Sequence, residues 1–318
     1  MEANRSKELI IDIVNNVQKA ILGKEKEIYN IMKGIIAGGH ILIEDVPGVG
    51  KTTLVKAIAK TLDVSFSRIQ FTPDLLPSDI TGISIYNPKL GTFEYIKGPV
   101  FTNIVLADEI NRTSPKTQSA LLEVMEENQI SDGNNTYILD KPFIVMATEN
   151  PVEHEGTFML PEAQLDRFMI KVSLGYVDKE REEEILMNYR GKDTISELKA
   201  VAGAKEIIEL QEECKRIKVS KPVAEYIVRI TGSSREDKNI SLGASTRASI
   251  ALLSIAQASA LIKGRSYITP DDIKENAVAV LSHRIKLSAI GRGNGLSNED
   301  AILDILRRIA VPRFNDND

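Results

Sequence analysis

Apolar residues near the N-terminus recur with a helical period. Leu9, Ile13, Val17, Ala20 and Ile21 fall near i/i+4 spacing, and after Gly23 a second run carries Ile28, Ile31, Met32 and Ile35. Core packing accounts for both runs. The period then changes, because His40 to Ile43 form a short run suited to a buried strand and Ser65 to Gln70 alternate. Asn103–Asp108 and Phe143–Thr148 are nearly continuous apolar runs, as strands buried on both faces should be, and Phe168–Val172 is a further strand. Between them lie a helix over Thr53–Leu62 and one opened by Ser114-Pro115, with Leu121, Leu122 and Met125 on its inner face. Two hairpins interrupt this alternation: Gly82–Tyr95, turning at Asn87–Gly91, and residues 129–139, turning at Asp132-Gly133.

About five strands alternating with helices predict an α/β fold with a parallel sheet covered on both faces. Beyond Lys179 the strand signals fade. Helical stretches follow near 179–190, 204–217, 222–234, 245–262, 270–282 and 299–309, and Thr269-Pro270 reads as an N-cap and first turn. The change of pattern predicts two domains, an α/β core over 1–177 and an all-helical domain over 178–318.

Composition narrows the classes. A hydrophobic fraction of 42% and a charged fraction of 27% over 318 residues are those of a globular protein. A net charge of −5 gives no strong nucleic-acid signal, while leaving room for a local basic groove. Cys214 is the only cysteine and His40, His154 and His283 are dispersed, so neither residue type offers metal-ligand spacing. The first residues lack the apolar core of a signal peptide, and the longest apolar stretch, Ala248–Ile262, is too short to span a bilayer, so the cytoplasm is the expected location.

The chemistry concentrates where strands end. His40–Glu44 runs into Asp45-Val46-Pro47-Gly48-Val49-Gly50-Lys51-Thr52-Thr53, a glycine turn leading into a helix, whose backbone N–H groups would cradle phosphates. Lys51 would reach the β- and γ-phosphates of a nucleoside triphosphate, and the Thr52 hydroxyl would hold a magnesium ion. Asp45 occupies the position of the first glycine in the usual P-loop pattern, and its carboxylate is expected to turn away from the phosphates. An acidic pair closing a buried strand is ordinarily just a strand end. After a P-loop, however, Asp108 would complete the magnesium shell, and Glu109 would orient and deprotonate the attacking water. Asn150, closing the next strand, would hold that water. Surface arginines are ordinarily solvated charges, but Arg167 would supply the further cation that hydrolysis needs, often from a neighbouring subunit. Arg247 lies near a helix start, where it would ordinarily be a helix-surface charge. Ile21, Leu22 and Gly23 could lie against the adenine.

These segments together closely resemble the AAA+ ATPases, specifically the MoxR branch. The resemblance runs from Gly38-Gly39-His40 through the P-loop, Leu106–Arg112 with Pro115–Gln118, Asn150-Pro151, Gly156-Thr157-Phe158 and Leu160–Phe168 to His283-Arg284. It implies that Lys51 and Thr52 are the Walker A pair, Asp108 and Glu109 the Walker B pair, Asn150 sensor 1, Arg167 a trans-acting arginine finger and Arg247 sensor 2 from a helical lid. The hairpins then match the insertion in helix 2 and the one before sensor 1. The family further implies ATP and ADP, magnesium, a homo-oligomeric ring (commonly a hexamer), and a chaperone-like role on client proteins, which often carry a von Willebrand factor A domain. Two other readings stay open: a nucleotide-gated binding module with little turnover, and a DNA-associated motor.

Overall fold

The computed structural model describes residues 3–46, 48–133, 135–150, 157–188 and 194–312. Its centre is a parallel sheet. Strands β1 (His40–Glu44), β2 (Phe66–Gln70), β5 (Ile104–Asp108), β8 (Ile144–Glu149) and β9 (Phe168–Val172) lie in the order β2-β5-β8-β1-β9, every neighbouring pair parallel. Position in the sheet explains each strand's pattern. Central β5 and β8 are buried along their whole length and read as continuous apolar runs, whereas the edge strands β2 and β9 alternate.

Helices cover both faces. Ile41 and Ile43 face one apolar core with Leu106, Met146 and Ile170, against α1 (Ala3–Gln18), α2 (Glu25–Ile36) and α3 (Lys51–Thr61). Leu42 faces the other, with Val105, Ala107, Val145 and Leu121, Leu122 and Met125 of α5 (Pro115–Glu127). The Ser114 side chain caps α5 by accepting from the Thr117 N–H. After the short helix α4 (Pro77–Thr81), β3 (Gly82–Asn87) pairs antiparallel with β4 (Thr92–Lys97). After α5, β6 (Gln129–Asp132) pairs with β7 (Asn135–Ile138). The two insertions touch: Tyr95 stacks on Tyr137 with centroids 4.2 Å apart, and the Ser84 hydroxyl meets the Asp132 carboxylate.

A short helix, α6 (Glu162–Leu165), precedes β9. The C-terminal half is helical: α7 (Lys179–Asn188), α8 (Ala204–Lys215), α9 (Lys221–Glu236), α10 (Thr246–Ile262), α11 (Pro270–Leu281), α12 (Ala289–Gly293) and α13 (Asn298–Arg308). It also carries a short antiparallel ladder, β10 (Ile240–Leu242) with β11 (Lys286–Leu287), which the hydrophobic pattern did not signal. The apolar core is continuous across the two halves, since α1 and α2 pack on α10. Polar contacts reinforce the junction. Buried Arg284 donates to the Asp166 carboxylate (2.8 Å) and to the Phe168 and Met169 carbonyls, and Lys171 of β9 bridges Glu44 and Glu299 at 3.0 Å each. Among the described residues no helix is long and apolar enough to cross a membrane.

Candidate nucleotide site

The C-terminal end of β1 delivers the chain into the glycine turn. Gly48 and Gly50 both have positive φ (86° and 89°), a conformation that a side chain would strain. Gly50 is the N-cap of α3 and offers no side-chain cap, and no acidic residue occupies the first turn. The first N–H groups of α3 therefore lack an internal partner, and the helix dipole adds partial positive charge at the same place. Lys51 folds back, Nζ donating to the Asp45 carbonyl at 2.9 Å. Partial burial pulls its ammonium below the usual lysine range, opposed by Asp108, Asp45 and Glu109 nearby.

The Asp45 carboxylate is turned away, as expected. Oδ2 accepts from the Leu174 and Gly175 N–H groups at 2.6 Å each, and Oδ1 accepts from Val46 N–H at 2.8 Å. The same loop is held from its carbonyl side, where buried Lys24 donates to Leu174 O (2.5 Å) and Tyr176 O (2.9 Å). Ile21, Leu22 and Gly23 immediately precede this lysine, so they adjoin the P-loop through the loop that Asp45 grips.

The acids arrive from the next strands over. Thr148 of β8 donates to Asp108 Oδ1 (2.6 Å) and accepts from the Glu109 N–H (2.8 Å), tying the end of β5 to β8. Arg68 of β2 grips Asp108 Oδ2 through Nε and Nη2, at 3.0 and 2.6 Å. Glu109 has left-handed backbone (φ 59°), and its Oε2 accepts from Gln70 (2.8 Å) and Arg112 (3.2 Å). Asn150 is buried at the end of β8, which lies between β5 and β1. P-loop, acidic pair and Asn150 thus converge from three adjacent strand ends, where α/β sheets bind ligands. Glu149 is pushed up to about 7, by burial first and then by Glu44, with which it pairs in register; Lys171 opposes the shift.

Several neighbours have structural roles that the sequence did not single out. Arg68, Gln70, Arg112 and Thr148 orient the acids, and alternation along β2 puts Arg68 and Gln70 on one face, the only local signal for them. Gln118 donates to the Ile110 (3.1 Å) and Phe158 (2.9 Å) carbonyls, while the Phe158 N–H donates to Asn111 O (2.7 Å), so these motif residues brace the turn after Glu109. Pro47, Pro151 and Gly156 lie outside the described residues.

The two arginines stand elsewhere. Arg167 directly precedes β9, at the N-terminal end of the sheet, and β1 alone separates its two ends by roughly 13 Å at about 3.3 Å per residue. Arg247 is beside it: Arg167 and Arg247 each place Nη2 2.8 Å from a separate oxygen of Glu126 on α5. The preceding residue, Met125, accepts at its carbonyl from His40 Nε2 (3.0 Å), at the start of β1. Arg247, expected as sensor 2 from the helical lid, is therefore held at the opposite end of the sheet from its own P-loop. The cause is the anchoring of α10, since its N-cap Ser245 donates to Asp166 (2.8 Å), the carboxylate that Arg284 also grips. A cavity of about 250 Å³ opens here beside Arg167, Arg247 and Arg284.

Residues 40–170 match the family described as "ATPase family associated with various cellular activities (AAA)", and residues 232–305 match an AAA lid domain. Chaperone MoxR1 of Mycobacterium tuberculosis is 40% identical over 94% of this chain and 81% of its own length. The chain belongs to the MoxR family of AAA+ ATPases. An uncharacterised Bacillus subtilis relative, YeaC, is 47% identical over 94% of this chain and 93% of its own. A crystal structure from Cytophaga hutchinsonii, described as a candidate ATPase, superposes with a TM-score of 0.91 at 43% identity, covering 98% of this chain and 97% of that one. Membership accounts for the parallel five-stranded sheet with a helical lid.

The donor set fits a nucleoside triphosphate with a divalent cation. An uncapped helix N-terminus and an ammonium suit phosphates, and a hydroxyl (Thr52) and a carboxylate (Asp108) suit a hard cation.

Proposed function

We propose that this MoxR-family chain hydrolyses ATP to ADP and phosphate within a homo-oligomeric ring and uses the cycle to remodel or mature client proteins. The carrying observation is the separation of Lys51, Asp108 and Glu109 from Arg167 and Arg247 at opposite ends of one sheet. A neighbour presenting its arginine end to this chain's P-loop end would bring the two halves together. Both arginines then serve the adjacent protomer's nucleotide, Arg247 as well as Arg167.

In this reading the Val46–Thr53 backbone and Lys51 bind the phosphates, Lys51 leaving the Asp45 carbonyl to do so. Thr52 and Asp108 would hold a magnesium ion, which would supply neutralisation of phosphate charge. Glu109 takes a proton from water as its oxygen bonds to the γ-phosphorus and the bond to the ADP oxygen breaks; Asn150 orients that water. Ile21, Leu22 and Gly23 border the adenine. The cycle then moves a lid, 178–318, against a nucleotide-binding core, 1–177, across the apolar junction of α1 and α2 with α10. The β3–β4 hairpin exposes Ile83, Ile85 and Ile96 on one face, an apolar surface able to grip a client.

Specific activity as a function of protein concentration tests the shared site. Turnover per chain rises with concentration and plateaus as assemblies fill. A constant turnover per chain, in a species that sedimentation shows to be monomeric, sinks the proposal.

A further inference from the structure

At the arginine end, Glu126 has no assigned part in hydrolysis. Glu126 is the penultimate residue of α5 and contacts both guanidinium groups, one per carboxylate oxygen. It belongs to the sheet half, while Arg247 belongs to the lid, so one carboxylate spans both. The backbone around Arg167 is already fixed, because Arg284 grips Asp166 on one side and the Phe168 carbonyl on the other. Only the tip of Arg167 is left to be oriented. Glu126 is itself anchored, since the adjacent Met125 is buried in the core and its carbonyl takes the His40 ring.

The chemistry suits positioning. Two guanidinium groups held side by side repel, and a carboxylate between them offsets that repulsion. Each arginine offers Glu126 only its Nη2, so other N–H donors of the guanidinium fork stay available for a second anion. Around the cavity, Arg167, Arg247 and Arg284 face Glu126 and Asp166, three cations against two carboxylates, which leaves net positive charge. Ion pairs this exposed contribute little to stability, so Glu126 can be removed without unfolding the chain.

Resting on the reading of Arg167 and Arg247 as groups that act on a neighbour, we propose that Glu126 is a positioning residue that aligns the pair for the neighbour's terminal phosphate. It acts through the arginines and does not touch the nucleotide bound by its own chain.

Mixed assemblies test this. Chains carrying R167A retain the P-loop but lack the finger, and chains carrying K51A retain the arginines but lack the phosphate grip. Mixing the two recovers turnover only at interfaces where a K51A chain donates to an R167A chain. Adding E126A to the donor lowers the recovered kcat on the order of 10- to 100-fold, as for an ångström-scale misplacement of a reacting group, with KM for ATP unchanged. Adding it to the acceptor leaves the recovered turnover as it was. E126Q in the donor, with one acceptor oxygen for two guanidinium groups, gives an intermediate loss. Equal losses from either chain, no loss from the donor, or a gain in turnover each overturn the proposal. Failure of the parent mixture to recover any turnover instead overturns the shared site itself, and Glu126 falls with it.

Discussion

At the C-terminal ends of β5, β8 and β1, groups close together in short motifs build the P-loop, the acidic pair and Asn150. At the N-terminal ends of β1 and β9, residues far apart in the chain, Glu126, Arg167, Arg247 and Arg284, build a cluster of ion pairs. The first end is set by local backbone: a glycine turn, a helix start and strand termini. The second exists only once the helical half has docked. In the proposed function the local end grips phosphate and the assembled end supplies charge, so substitutions at the two ends should separate binding from rate.

The largest expected effect is at the assembled end. R167A lowers kcat by roughly 10³–10⁵-fold, the range of arginine fingers, while equilibrium ATP affinity measured by titration stays at the wild-type value. Loss of affinity together with rate would put Arg167 in its own chain's site. At the local end, E109Q retains ATP and lowers kcat by about 10²–10⁴-fold, the contribution of a positioned general base. Wild-type turnover in single-cycle assays of E109Q would remove Glu109 from the reaction. Recovery of turnover on mixing R167A with K51A chains would then distinguish a shared site from one complete within a chain.

A third contrast is electrostatic. Glu149 sits against Glu44 with its pKa raised to about 7, from an ordinary 4.5. The folded state therefore keeps this proton after the unfolded chain has lost it, so the group's contribution falls as pH rises from 4.5 and is fully lost above about 7. The drop is about 3 kcal/mol. Urea denaturation at pH 5 and pH 8 measures it. E149Q, which cannot ionise, flattens that slope, and an unchanged slope would mean that Glu149 is solvated.

Local chemistry was legible in the sequence and long-range partnership was not. The apolar runs of β5 and β8 are continuous because both faces are covered, and that pattern survives in any window. The P-loop shows because its glycines, lysine and threonine are adjacent. β10 and β11 escaped because strands of three and two residues have no period to detect. The place of Arg247 beside Arg167 has no local signal, because nothing near it reveals that Ser245 will bond to Asp166, 79 positions away. Glu126 carried no signal for the same reason: on a helix end, beside Glu127, it reads as a solvated charge.

The smallest effect concerns the residue that departs from the P-loop pattern. If Asp45 merely placed a misfit charge beside the phosphates, D45G would bind ATP more tightly. The structure argues otherwise, because the carboxylate is committed to the N–H groups of Leu174 and Gly175 at 2.6 Å, in the loop that leads from β9 toward the lid. Removing it strands those donors where Leu174 is buried, a cost of about 1–3 kcal/mol. The added glycine freedom costs a few tenths to about 1 kcal/mol more. D45G is therefore expected to lower stability in chemical denaturation with no gain in ATP affinity. D45N, which keeps one acceptor oxygen, should lose less. A large gain in affinity at unchanged stability would mean that Asp45 opposes the phosphates after all, and that its bonds to the β9 loop are incidental.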